Sequence, residues 1–307
     1  MLLGIDIGGT KVAFRAEPAA GADLAEDAQS RGKAVESAFS WSAPGALDAD
    51  LAALRTHVEQ IRVRTHRPFT GVGVAVPATL DARGRVTAWP TRPSWVGLDL
   101  AGVLRGLFPA APVHCADDGD LAALAEAAAA GCEDLVYVGV GTGIGGGIVL
   151  GGRSVPGARR GSCELGHLIV NQDGALCDCG RRGCVQAEAS GPATLRRAAA
   201  ERGAAVGFED LRAAYADGTP WALSALAHSC AALAAALVGV AELVRPAATV
   251  VGGGFAAGIP GLVEEVARRA GALARPGHPV APVLPARLGG RSSLHGAVLA
   301  AAGPLTR

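Results

Sequence analysis

The chain has 307 residues, 50% of them hydrophobic, enough to bury a large core and, at this length, to suggest two domains. Lys+Arg and Asp+Glu balance at 28 each, so no face is forced to be basic, which argues against nucleic acid as the main partner. Seven cysteines, an odd number, speak against a disulfide framework, and aromatics at 4% leave elements to pack through Gly and Ala.

In chain order, Leu2 to Ile7 is a short apolar run that Gly8, Gly9, Thr10 and Lys11 turn back into a second strand at Val12 to Phe14. No basic segment precedes this run, so it does not read as a secretory signal, and the expected location is the cytoplasm. Glu17 to Pro44 is polar, with hairpin-and-loop character. Leu47 to Arg64 has apolar residues at helical spacing, and Gly71 to Val76 reads as a buried strand stopped by Pro77. A short helix is expected over Leu98 to Leu107, and Val113 leads into CADDGD, from which an Ala/Leu helix runs to Ala130. Leu135 to Leu150 repeats the opening design, apolar strands around Gly141, Thr142 and Gly143, about half a chain later. Helices are expected at 192–203, 207–217 and 221–244, the last interrupted by His228, Ser229, Cys230 and Glu242 and therefore a core helix, not a membrane span. A strand at Thr249 to Val251 ends in Gly252, Gly253 and Gly254, a helix covers Ile259 to Ala274, and a last helix begins near Ser292.

Three places carry chemistry. Glycine turns bring several backbone N–H groups close to a phosphate, and Gly8–Lys11 adds a hydroxyl and a cation to such a turn. Asp6 at its mouth suits a magnesium ion held through water, and Gly141–Gly143 supplies a matching turn. Two ordinary hairpins would explain the glycines of either copy alone, but not the acid, threonine and lysine together with a second copy. Asp117 and Asp118 sit where a strand end opens a helix, a rigid seat for a base, though aspartate there is also a favoured helix cap. Finally, His167, Cys177, Cys179 and Cys184 crowd into a Gly-rich, charged knuckle, the ligand set of a tetrahedral structural zinc; the alternative is reduced thiols beside an unrelated histidine. Glu164 lies three residues before His167 and would share a cleft with the histidine's second ring nitrogen. Cys115, Cys132, Cys163 and Cys230 read as small buried thiols.

Gly161–Gly191, with GxxELGH followed by CxCGxxGC, resembles the ROK family of sugar kinases and related repressors, and the glycine turns and CADDGD extend the likeness over nearly the whole chain. The resemblance implies two α/β lobes of the actin-like ATPase (ribonuclease H-like) kind, closing over ATP and Mg2+. The first lobe would be 1–116 with the C-terminal helix 292–307, and the second 117–291, carrying the knuckle at 161–191. It also implies phosphate loops at the two turns, the glycine triplet, with Gly253 and Gly254, beside the adenosine, and a structural Zn2+. Aligning the family's NDANAAALGE on Glu126 places Asp118 on the catalytic base. The implied sugar clamp is Asp117, Asp118, Glu164, His167 and Gln186. Two of these depart from the family pattern: Asp117 stands where it has asparagine, and Gln186 where it has glutamate. Kinase activity is thus expected and acceptor identity is open. A carboxylate accepts hydrogen bonds and carries charge, so an ammonium at C3 of the sugar, as in 3-amino-3-deoxyglucose (kanosamine), suits Asp117 better than a neutral hydroxyl does. If Asp117 instead turns away to cap the helix at Gly119, glucose is the acceptor. A ROK-type repressor would carry a helix-turn-helix ahead of the first strand, and a catalytically dead sugar sensor would not need Asp6, Thr10 and Asp118. A homodimer, without membrane or nucleic-acid partners, is the assembly the family implies.

Overall fold

β1 (Leu2–Ile7) and β2 (Lys11–Glu17) pair antiparallel across the first glycine turn, and β3 (Val35–Ser40) continues antiparallel beyond β2. In this computed structural model the described residues are 1–19, 34–41, 46–157 and 161–303, so most of the polar stretch expected after Glu17 lies outside them. The helix α1 (Leu47–Thr65) follows, burying Leu51, Leu54, Val58 and Ile61, and stops at His66, whose φ of 51° is left-handed. β4 (Gly71–Ala75), fully buried, runs parallel to β1. A small hairpin of β5 (Thr79–Leu80) and β6 (Val86–Ala88), too short to show in the sequence, precedes α2 (Leu100–Leu107). α2 starts two residues later than its apolar spacing suggested, because the Asp99 carboxylate accepts the Gly102 N–H at 2.8 Å and fixes the cap. β7 (Val113–Ala116) adds parallel to β4 and gives way to α3 (Asp118–Ala130).

The second half repeats the plan. β8 (Leu135–Val140), β9 (Ile144–Leu150) and β10 (Arg153–Val155) are antiparallel neighbours. Helices α4 (Val185–Ala189), α5 (Gly191–Arg202), α6 (Phe208–Ala216) and α7 (Pro220–Val244) come next. β11 (Ala248–Gly252) pairs parallel to β8, followed by α8 (Gly254–Ala257), α9 (Leu262–Ala272) and β12 (Val283–Pro285), parallel to β11. α9 begins at Leu262 and not Ile259, since Pro260 and the left-handed Gly261 precede it. The last helix, α10 (Ser292–Ala301), starts where expected.

Each five-stranded sheet has the same order: β3-β2-β1-β4-β7 in one and β10-β9-β8-β11-β12 in the other. The repeat read from the two glycine turns is therefore a repeat of whole sheets. One compact unit holds Met1–Ala125, Pro156–Ser162 and Arg291–Arg307; the other holds Glu126–Val155 and Cys163–Gly290. The first core gathers Leu3, Ile5, Phe14, Leu54, Val72 and Trp95; the second gathers Val136, Val138, Leu226, Leu233, Val251 and Val266. α7 is long and apolar enough to cross a membrane, yet 56% of its apolar window is buried, with Leu226, Leu233 and Leu237 in the second core.

The seat of α10 explains the glycines of the first sheet. Gly4 and Gly73 are register partners on β1 and β4, and α10 lies directly on them. A Cβ on Gly73 would strike the Ala297 carbonyl, and one on Gly4 would strike Val298. Backbone of helix and sheet touch there, which brings the N-terminus of α10 to the end of β1.

Candidate functional site

The first unit places Asp6 at the end of β1, ahead of the turn, and Asp118 at the first position of α3. The two are close enough to feel each other's charge. The Asp118 carboxyl is pushed up to about 7, first by desolvation, then by the charges of Asp117 and Asp6, against the pull of its own and the Gly119 N–H groups. Burial likewise raises Asp6, offset in part by Lys11 and by the Ser293 hydroxyl, which donates to its Oδ2 at 2.6 Å. A buried carboxyl lifted by neighbouring carboxylates is a seat for a cation, and one near 7 can take a proton at neutral pH. Asp117 accepts the Gly119 N–H through Oδ1 at 3.0 Å. It is therefore the helix cap that the sequence offered as the alternative, and it remains a charge beside Asp118.

The Gly8–Thr10 turn is closed by Gly8 N–H to the Lys11 carbonyl at 2.9 Å, with Thr10 and Lys11 exposed. Gly9 must be glycine for reasons of space: a Cβ there would run into the Thr91 side chain.

In the second unit, Gly141 N–H donates to the Gly143 carbonyl at 2.9 Å, closing the matching turn and leaving Thr142 exposed. Gln186, expected in the sugar clamp, has its Oε1 on the Ile144 N–H at 3.1 Å, and so braces this turn. Gly191 N–H holds the Gly141 carbonyl at 2.9 Å. Gly252 ends β11, and Gly253, at φ 87° and packed against the Val140 backbone, opens α8 at Gly254.

His167 lies in a short 3-10 turn that begins after Glu164, itself exposed. The histidine's Nδ1 is 3.7 Å from Cys177 Sγ, and Cys179 Sγ is 3.6 Å from Cys184 Sγ. Ligand atoms of all four residues fall within 4.8 Å of one another. Cys177 and Cys184 are buried and Cys179 is exposed. Backbone and side chain of Arg181 hold the Cys179 thiol down to about 6, whereas burial and the neighbouring thiols push Cys184 up to about 12. Thiols this close cannot all ionise without a cation among them. Of the remaining cysteines, Cys230 is buried and Cys115, Cys132 and Cys163 are partly so.

Several supporting residues gave no sequence signal. Ser293 on α10 reaches Asp6 across 287 residues of chain. Glu188 is only 2% exposed and binds Ala175 N–H, in the loop entering the cysteine cluster, at 2.7 Å, with His228 Nε2 at 2.7 Å and Arg197 at 3.2 Å. Burial raises Glu188, but His228, the Ala175 amide and Arg197 outweigh it and hold the carboxyl below its ordinary value. Glu126, which anchored the motif alignment, accepts the N–H groups of Arg287 and Leu288 at 2.9 and 3.0 Å, fixing the loop after β12.

The ROK family profile matches residues 2–303. Kanosamine kinase of Amycolatopsis mediterranei (strain S699) is 55% identical over 296 residues, which is 96% of this chain and 94% of that protein. Among solved structures, the ROK hexokinase from Thermus thermophilus matches with a TM-score of 0.82 at 29% identity, over 98% of this chain and 97% of that one. The ROK family glucokinase from Streptomyces griseus, in complex with glucose and AMPPNP, matches with a TM-score of 0.79 at 26% identity, over 98% of both chains.

Proposed function

The chain belongs to the ROK family, and on that premise we propose that it is an ATP-dependent sugar kinase acting on the 6-hydroxyl of a glucose-like aminosugar, kanosamine. The observation that carries the acceptor is the similarity to kanosamine kinase over nearly the whole chain, joined to a carboxylate at position 117. Capping α3 uses one oxygen of Asp117 and leaves its charge in place. A C3 ammonium on the acceptor would meet that charge in a hydrogen bond charged on both sides, which a neutral hydroxyl cannot supply.

In this reading Asp118 takes the proton of the 6-hydroxyl as it attacks the γ-phosphate. The turns at Gly8–Lys11 and Gly141–Gly143 hold the phosphates through backbone N–H groups, with Thr10, Lys11 and Thr142 adding side-chain donors, and Gly253 and Gly254 lie along the adenosine. Mg2+ would sit beside Asp6, a buried carboxyl that burial raises and that a cation would hold ionised, and it would neutralise phosphate oxygens during transfer. Glu164, His167 and Gln186 are assigned to the sugar. Gln186 Oε1 is engaged with Ile144 N–H, so its amide NH2 is the end offered to a ligand.

Zinc fits the His167, Cys177, Cys179 and Cys184 quartet on distance as well as on donor type. Ligands about 2.3 Å (sulfur) and 2.0–2.1 Å (nitrogen) from one ion at tetrahedral angles lie roughly 3.5–3.8 Å apart, against the 3.6 and 3.7 Å found here. Bound there, the ion would orient His167 and stiffen the loop that carries Glu164.

The test is kcat/KM for kanosamine and for glucose with Mg-ATP, with the site of phosphorylation identified in the product. Preference for glucose would remove the aminosugar reading and keep the kinase; no ADP release with any hexose would remove the kinase.

A further inference from the structure

The backbone of the first glycine turn is held from behind by residues far away in sequence. Its four consecutive carbonyls all have partners: Gly8 O accepts Trp41 Nε1–H at 2.8 Å, Gly9 O accepts Arg92 Nε–H at 3.2 Å, Thr10 O accepts Trp41 N–H at 3.1 Å, and Lys11 O accepts Gly8 N–H at 2.9 Å. In a trans peptide the N–H of each residue points opposite to the preceding carbonyl. Fixing the carbonyls of Gly8 and Gly9 therefore turns the N–H groups of Gly9 and Thr10 to the other face. Neither has a protein acceptor among the described residues.

The brace is itself tightly built. Arg92, 3% exposed, pairs through Nη1 with Asp50, 2% exposed on the buried face of α1. Trp95 Nε1 donates to the same Asp50 oxygen at 2.9 Å. The Arg92 guanidinium lies over the Trp41 ring at 4.3 Å, and the Trp41 and Trp89 rings both meet Trp95 edge-on. One buried cation thus spends its planar fork on two jobs, neutralising Asp50 and holding the Gly9 carbonyl.

We propose that Arg92, oriented by Asp50, and Trp41 are positioning residues that aim the Gly9 and Thr10 N–H groups at the nucleotide phosphates. The proposal rests on the kinase reading above and adds to it where the turn's alignment comes from. The ligand class is a polyphosphate anion, recognised by converging amides. An acceptor sugar has no part in this contact, so the brace should act on nucleotide affinity alone.

The experiment measures Mg-ADP affinity by titration calorimetry, the KM for ATP and for the acceptor, and Tm, in wild type and three variants. Arg92→Lys keeps a charge for Asp50 but cannot make both contacts. Trp41→Phe keeps the ring and removes only the donor to Gly8. Trp89→Phe loosens the same aromatic cluster without touching the turn. Weakened Mg-ADP binding is expected in Arg92→Lys by roughly tenfold and in Trp41→Phe by about threefold, with acceptor KM within about twofold of wild type in both. Trp89→Phe should bind nucleotide as wild type does. Where Arg92→Lys does not fold, Trp41→Phe, which disturbs no charge, decides alone. Nucleotide affinity unchanged in folded Trp41→Phe, or lost equally in Trp89→Phe, overturns the proposal while leaving the kinase intact. Failure of wild type to bind Mg-ADP overturns both.

Discussion

Replacing Asp117 by asparagine removes one charge just ahead of α3. Its Oδ1 keeps the Gly119 N–H at the start of α3, so the helix cap survives the change. Two effects then separate. If an ammonium group of the acceptor meets Asp117, its charge-assisted hydrogen bond falls to a weaker one, a loss of about 1–1.5 kcal/mol, or roughly 5- to 10-fold in kcat/KM for kanosamine. Glucose loses nothing of the kind, so selectivity swings toward it. The second effect is on the base. The Asp117 charge is, after desolvation, the largest cause lifting Asp118 to about 7. Without it the Asp118 carboxyl ionises at lower pH, and the acid limb of kcat/KM moves down with it. An ADP-release assay on both acceptors measures the first effect, and a pH profile on glucose, which has no amine to titrate, measures the second. Equal losses for both acceptors would show that Asp117 is only a cap, and an unmoved acid limb would show that Asp118 is not the group whose ionisation starts the reaction.

Asp118→Asn should keep nucleotide and sugar binding and lower kcat by roughly 10² to 10⁴, the usual worth of a positioned base; near-wild-type turnover would hand the role to Asp117. Because Asp118 is raised in the fold, its contribution to stability is full below the ordinary carboxylate value near 4 and is lost as pH rises through about 7, by up to about 4 kcal/mol. Asp6, also raised, acts in the same sense, so urea unfolding of metal-free protein should show stability falling over that window; a rise would contradict the placement of these acids. One zinc per chain is expected by elemental analysis, and chelation should abolish sugar binding before far-UV circular dichroism reports unfolding; active protein free of zinc would refute the assignment. Gly73→Ala should cost about 1–3 kcal/mol of stability, since its Cβ meets the Ala297 carbonyl, which is backbone and cannot step aside. Unchanged denaturation would mean α10 sits further from the sheet.

What the sequence made legible is what local pattern encodes. Both sheets were visible in their central strands, because buried runs such as Leu2–Ile7, Gly71–Ala75 and Leu135–Val140 are largely apolar and end in a glycine turn or, after Val76, at Pro77. Short edge strands such as β10 and β12 were not, since three residues carry no period to read. The four cysteine-cluster residues lie close in sequence and were found together in space. Asp118 was placed by a motif, but its raised carboxyl depends on Asp6, 112 residues earlier, and on burial, neither of which local pattern contains.

The same reasoning explains why the residues that aim the site stayed hidden while those that would touch ligands did not. A residue that contacts a phosphate or a proton must be of a particular type at the end of a particular element, so it leaves a motif. One that holds such a residue in place needs only to reach it, from anywhere the fold allows. Ser293 serves Asp6 from the last helix, Glu188 serves the cysteine loop from α4, and Arg92 serves Gly9 from a turn between β6 and α2. The one sequence clue to that last contact was Asp50, an acid on the apolar face of α1 beside Leu51 and Leu54. A buried carboxylate must be paired, and its partner, Arg92, lies 42 residues away. Following such out-of-place charges to their partners is therefore the way from a legible motif to the residues that align it.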